Sequence, residues 1–235
     1  KPLPTPGSLI EGISKSQYEY ARNQPTISGE FINIMMARAL SSSEANASMG
    51  KICAAPTAGA CGIVPAVIIS LGEKYQSTKK EILDALLTAS GIGAVFMKNA
   101  TVSGAEGACQ AETGVAATMA TAAAVQLAGG TSEMAMEACC FVLMNVMGLV
   151  CDPVAGLVQV PCAQRNAIQS VNAILCADLA LAGMKSIVPL DEMVEAMHKV
   201  GKELPPSLKE TAIGGMAGTT TAIEIAKSIF ENKRY

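Results

Sequence analysis

Apolar residues along this chain recur at the three- and four-residue intervals of amphipathic helices, and the period-two alternation of half-buried strands is nearly absent. From Ser28 onward, Phe31, Ile34, Met35 and Ala39 fall on one face, which predicts a helix reaching about Ser42. Thr78 and Glu81 have the spacing of a capping box, in which two side chains satisfy orphan N–H groups, so a helix begins ahead of Ile82, Leu83, Leu86 and Leu87. Gly91 and Gly93 are expected to interrupt or bend it near its end. Gly129-Gly130 stops an alanine-rich run over residues 113–128, and Ser132 is the expected cap of the next helix. Pro153 disfavours helical backbone at Asp152, which breaks the chain after Cys151. Further helices are predicted over residues 162–181, 191–204 with Asp191 as N-cap, and 219–233. The expectation is an all-α, single compact multi-helix domain of eight to ten helices over residues 28–235. An extended arm rich in proline, glycine and polar residues precedes it over residues 1–27.

Composition narrows the function classes. The 235 residues are 50% hydrophobic and 16% charged, enough for a sizeable core, while aromatics are 3% and alanine, glycine and methionine are abundant. Such small side chains suit close helix packing. A net charge of −3 without a basic run leaves no footprint for nucleic acid or an anionic membrane surface. The most apolar stretch, residues 139–150, is interrupted by Asn145 and falls short of the roughly 18 apolar residues a spanning helix needs, so no membrane segment is expected. No basic-then-apolar signal segment opens the chain, and Lys1 is not an initiator methionine, which leaves open whether an upstream portion is missing. Eight scattered cysteines fit the reducing cytoplasm better than a disulfide framework.

Three of those cysteines, Cys109, Cys151 and Cys162, sit where apolar helical segments break into glycine, proline or an acidic residue. Thiolates near helix termini are stabilised by orphan N–H groups, as metal ligands require. Three thiolates on an iron-sulfur cubane would leave one iron open to substrate. Cys151 and Cys162 are separated by a proline- and glycine-containing segment suited to folding back, so both thiols could face one centre; zinc competes as the metal on spacing alone. Cys139, Cys140 and Cys176 lie in apolar helical runs and read as packing residues, while Cys53 and Cys61 stay undecided. Residues 54–62 are small and precede an apolar helix, as in a backbone nest for a carboxylate, or merely a tight turn. Glu106, Glu112 and Arg165 are polar groups in apolar settings that would line a site or pair with one another. His198 reads as a surface residue on a charged helix. Lys98 is a weak candidate for a base, the alternative being a base on another chain.

The segments Asn46-Ala47-Ser48-Met49-Gly50-Lys51 through Ala60, Gly104 through Glu112, and Cys151-Asp152-Pro153 through Cys162 together resemble the iron-sulfur L-serine dehydratase family, α chain or catalytic domain. Similarity continues through Arg165-Asn166-Ala167 and residues 204–218. The resemblance implies a 4Fe-4S cluster held by Cys109, Cys151 and Cys162, whose open iron acts as a Lewis acid toward L-serine. Aminoacrylate would then leave to hydrolyse to pyruvate and ammonia without pyridoxal phosphate. It implies that Thr57, Ala58, Gly59 and Ala60 hold the substrate carboxylate. Glu106, Gln110, Arg165 and Asn166 would surround and tune the cluster. The family also has a β chain or domain with a Ser-Ser-Ser-His-Thr-like segment, which this sequence lacks, so a β partner, with an unidentified base on it, and an oligomer are expected. Some members reach the open iron with a C-terminal cysteine, and the terminal Asn232-Lys233-Arg234-Tyr235 offers none. Desulfidation of L-cysteine on the same cluster, or a non-enzymatic assembly domain with inert cysteines, are the alternative readings.

Overall fold

The computed structural model describes residues 3–231, which fold into ten α-helices: α1 (Ile13–Asn23), α2 (Gly29–Ala47), α3 (Ile63–Lys74), α4 (Lys79–Asn99), α5 (Gly104–Cys109), α6 (Val115–Leu127), α7 (Ser132–Val146), α8 (Cys162–Leu181), α9 (Leu190–Glu203) and α10 (Thr220–Glu231). Among these residues there is no strand, only an isolated parallel bridge between Cys151 and Lys209. The all-α expectation therefore holds.

Helix α6 is the central column, buried on every side from Val115 to Val125 and enclosed by α3, α4, α7 and α8. Its alanines supply little volume, so the neighbours come close and fill the space with Phe96, Ile63, Val67, Ile68 and Leu143, each worth about 1.5–3 kcal/mol of burial. The polar side chains inside it are satisfied. Thr118 donates to the Gly114 carbonyl at 2.8 Å and Thr121 to the Ala173 carbonyl on α8 at 2.7 Å. Cys139, Cys140 and Cys176 are buried in this core and pack as expected.

Several local expectations change. Within the expected arm over residues 1–27, α1 is helical rather than extended and packs along α2. Its N-terminus is capped from another helix: the Glu44 carboxylate accepts from the Ser14 N–H at 3.0 Å and from its hydroxyl at 2.7 Å. Gly91 and Gly93 do not break α4, which runs unbroken to Asn99; a Cβ on Gly93 would lie 3.1 Å from the Met119 side chain, so this glycine permits close approach to α6. The Thr78–Glu81 capping box is present. Thr131 rather than Ser132 caps α7, accepting from the Met134 N–H, and α9 starts after Pro189 with Asp191 already in its first turn. Helix α2 extends to Ala47, beyond the predicted end at Ser42. Helix α10 ends at Glu231, and the terminal residues 232–235, where no cysteine was found, lie outside the described residues.

Candidate metal centre

Cys109 ends the short helix α5 and is followed by a π-helical turn, Gln110–Gly114, that leads into α6. Wide turns of this kind inside helices recur at functional sites. Ala108, fully buried, adopts φ 61° and ψ −166°, a region that glycine occupies readily and alanine only at a cost of about 1–3 kcal/mol. Gln110 then holds the turn in place. Its amide donates to the Met197 carbonyl on α9 at 2.9 Å, its carbonyl oxygen accepts from the Gly148 N–H at 2.8 Å, and its own N–H donates to the Leu149 carbonyl. Gln110 thus ties Cys109 to the strand of chain that delivers Cys151.

Cys151 is fixed from the other side. Its N–H donates to the Leu208 carbonyl at 2.9 Å, and its carbonyl accepts from the Glu210 N–H at 3.1 Å. Asp152 anchors the same segment, accepting from the Met216 N–H at 2.7 Å. The loop then returns to Cys162, the first residue of α8, where the Asn166 amide donates to the Cys162 carbonyl at 2.8 Å and to the Gly59 carbonyl at 2.7 Å. Asn166 Oδ1 accepts from the Gly62 N–H at 2.9 Å. One buried asparagine therefore joins the third cysteine to the turn containing Thr57–Ala60.

The three thiols are buried, and Cys109, Cys151 and the Glu112 carboxylate place their ligand atoms within 4.8 Å of one another. Arg165 donates to the Cys109 sulfur at 3.2 Å, to the Val150 carbonyl at 2.9 Å and to Asp152 Oδ1 at 2.9 Å. Burial works against the Arg165 charge, but Cys109 and Asp152 more than offset it and raise its pKa. A hydrogen bond with the Cys151 thiol, helped by Arg165, holds Cys109 below the ordinary thiol range against burial, while the same bond and burial push Cys151 up. Burial, then the charges of Cys109 and Glu112, push Cys162 up to about 12. Three thiols that resist ionising together are a donor set whose protons a cation displaces, and the soft sulfur donors suit iron-sulfur or zinc chemistry. Cys109, Cys151 and Glu112 thus offer a donor group that fits a thiolate-bound metal, and Cys162 lies outside that 4.8 Å group.

The structure redistributes the other expected residues. Arg165 touches a thiol directly, while Gln110 and Asn166 act as struts behind the cysteines. Glu106 is exposed and accepts from the Thr101 hydroxyl at 2.6 Å, so it does not surround the centre. Lys98 is exposed on the last turn of α4, and no hydrogen bond or ion pair among the described residues ties it to the cysteines. His198 is half-buried rather than free at the surface, with its Nδ1 enclosed and unpartnered. In the Thr57–Ala60 turn, the N–H groups of Ala60 and Cys61 close on the Thr57 and Ala58 carbonyls. Those of Ala58 and Gly59 have no hydrogen-bond partner among the described residues.

Two acidic residues complete the surroundings. Burial, together with the charge of Glu210, raises the Glu112 pKa against the opposing Thr57 hydroxyl. A Cβ on Gly104 would lie 2.6 Å from Glu112 Oε2 and 3.0 Å from Glu210 Oε2, so both carboxylates converge on the face that this glycine leaves open. Glu210 was not singled out from the sequence, and no local pattern marks it.

The chain matches the serine dehydratase alpha chain family over residues 6–217. It is 51% identical to the L-serine dehydratase, alpha chain, of Peptoniphilus asaccharolyticus, over 95% of this chain and 76% of that protein. It is 48% identical to the probable L-serine dehydratase, alpha chain, of Bacillus subtilis (strain 168), covering 94% of this chain and 74% of the relative. The L-serine dehydratase 1 of Escherichia coli (strain K12) is 43% identical over 83% of this chain but only 43% of its own length. With the cysteines, Arg165 and the Thr57–Ala60 turn gathered at one place, the chain belongs to the serine dehydratase alpha chain family.

Proposed function

We propose that this chain is the cluster-bearing α chain of an L-serine ammonia-lyase, converting L-serine to pyruvate and ammonia with a 4Fe-4S cluster held by Cys109, Cys151 and Cys162. The observation that supports this reading is the pair of buried thiols Cys109 and Cys151, within 4.8 Å of each other and with Arg165 on Cys109, while the buried Cys162 at the start of α8 is tied through Asn166 to the 57–60 turn. When bound, the cluster supplies Lewis-acid polarisation of the substrate hydroxyl. The remaining steps belong to the chain itself. Arg165 balances thiolate charge and is held in place by Asp152, so the cysteines keep one geometry. The free N–H groups of Ala58 and Gly59 bind the substrate carboxylate, and Asn166 fixes their turn relative to Cys162. Pyridoxal phosphate has no role.

The acceptor of the substrate α-proton comes from a β chain or domain. In support, more than half of the E. coli relative lies outside the region this chain matches. The test is pyruvate formation from L-serine by anaerobically reconstituted protein, with and without the β chain. Pyruvate and ammonia in equal amounts, only with the partner, are expected. A reconstituted complex that forms no pyruvate refutes the reading, and turnover by this chain alone refutes the assignment of the base to a partner.

A further inference from the structure

Around the cysteines, the arrangement accounts for two of the three functional groups of an amino-acid substrate. The hydroxyl is the group to be polarised and the carboxylate has the 57–60 turn, but the α-ammonium has no assigned partner. Glu112 and Glu210 stand where one is needed. Their carboxylates converge above Gly104, and Glu112 also faces the substrate turn, since a Cβ on Gly59 would lie 3.4 Å from Glu112 Oε1. The Glu112 carboxylate meanwhile lies within 4.8 Å of the Cys109 and Cys151 sulfurs, so it spans the distance between the carboxylate turn and the thiols.

Neither acid has a lysine, arginine or histidine within ion-pairing distance among the described residues, and the nearby cation, Arg165, is taken by Asp152 and Cys109. Glu112 is half-buried and the carboxylate of the exposed Glu210 converges on the same face, a like-charge arrangement that a cation would relieve. The Thr57 hydroxyl adds an independent observation. Its oxygen is buried and has no hydrogen-bond partner among the described residues. An ammonium group has three N–H donors in a compact head, and Glu112, Glu210 and Thr57 Oγ1 offer three acceptors.

We propose that Glu112 and Glu210 bind the α-ammonium of the substrate and make this site specific for an α-amino acid. The inference rests on the serine reading above and deepens it. Hydroxyl, carboxylate and ammonium are then held at three separate points, which is the minimum needed to distinguish L-serine from its mirror image. Gly104 is part of the same device, because any side chain there would displace both carboxylates.

The test compares equilibrium binding of L-serine and of 3-hydroxypropanoate, which keeps the hydroxyl and carboxylate but has no amine. It uses the anaerobically reconstituted holoenzyme and its Glu112→Gln and Glu210→Gln variants, with iron content measured beside binding. Each variant is expected to bind L-serine roughly tenfold to hundredfold more weakly, the worth of a charge-assisted hydrogen bond. 3-Hydroxypropanoate is expected to bind as well as before, or tighter, because a negative charge near an anion has gone. Loss of both ligands in parallel, or unchanged L-serine binding, overturns the proposal. If Glu112→Gln also lowers iron content, Glu210→Gln decides, since Glu210 is not grouped with the thiols. Wild-type holoenzyme that makes no pyruvate from L-serine sinks the serine reading itself. Wild-type turnover with variants that bind L-serine normally sinks only the ammonium assignment.

Discussion

Replacing Asn166 with alanine tests whether one buried side chain fixes the substrate turn to the third cysteine. The asparagine is fully buried and makes three hydrogen bonds, to the Gly59 and Cys162 carbonyls and from the Gly62 N–H. The Cys162 carbonyl begins α8 and keeps its helical partner, but the truncation leaves the Gly62 N–H and the Gly59 carbonyl without theirs. The buried Gly62 N–H costs about 1–3 kcal/mol and the part-buried Gly59 carbonyl about 1 kcal/mol, so the pair should cost about 2–4 kcal/mol. Set against a total stability of about 5–15 kcal/mol, the variant should fold but melt roughly 4–15 °C lower. Urea denaturation of the metal-free, reduced protein is the assay, and the midpoint should fall while the slope stays constant. Because Cys162 stays on its helix while the 57–60 turn loosens, KM for L-serine should rise while iron content stays at the wild-type level. An unchanged midpoint would refute the strut. A lowered midpoint with an unchanged KM would refute its role in placing the substrate turn.

Arg165→Met leaves Asp152 as a buried, unpaired carboxylate and should destabilise the metal-free protein by about 3–5 kcal/mol, with weaker retention of iron under chelator challenge; a change below 1 kcal/mol would contradict the pairing. Ala108→Gly relieves a positive-φ conformation and should raise the urea midpoint by about 1 kcal/mol in stability, after the added freedom of the unfolded chain; a fall would remove the strain argument. Burial pushes Cys61 and Cys176 up to about 11, so near neutral pH they hold their protons, whereas Cys53 is exposed. Iodoacetamide on the reconstituted protein should therefore label Cys53 first, as read by peptide mass mapping, and early labelling of Cys176 would contradict the packing.

How much of this was legible in the sequence depends on the range of the interactions. The cores of α4, α6 and α8 were readable because their apolar periodicity and, for α4, its capping box are local. Helix α1 was missed because its polar sequence has one fully buried residue, Ala21, and its N-terminus is satisfied by Glu44, thirty positions away. Gly93 read as a breaker because its purpose, contact with Met119, belongs to another helix. The three cysteines were singled out at chain breaks, and the resemblance made them a set. Gln110 and Asn166 were named as surroundings of the cysteines, but the carbonyls and N–H groups they hold belong to distant segments and leave no mark in the sequence. Glu106 and Glu112 lie six residues apart in similar surroundings, yet only Glu112 follows the kink at Ala108 into the site. Glu210 enters through a loop pinned to Cys151, a contact that spans 59 positions and leaves no periodic trace.

The central claim is that Cys109, Cys151 and Cys162 together hold a cluster with one open iron. Its most direct test is the iron and sulfide content, with the Mössbauer spectrum, of anaerobically reconstituted wild-type protein beside Cys109→Ala, Cys151→Ala and Cys162→Ala. About four irons and four sulfides per chain are expected in the wild type. One iron should change its spectrum when L-serine is added, and each variant should lose the cluster. Full iron content in any of the three variants, or a wild-type spectrum indifferent to L-serine, would contradict the account.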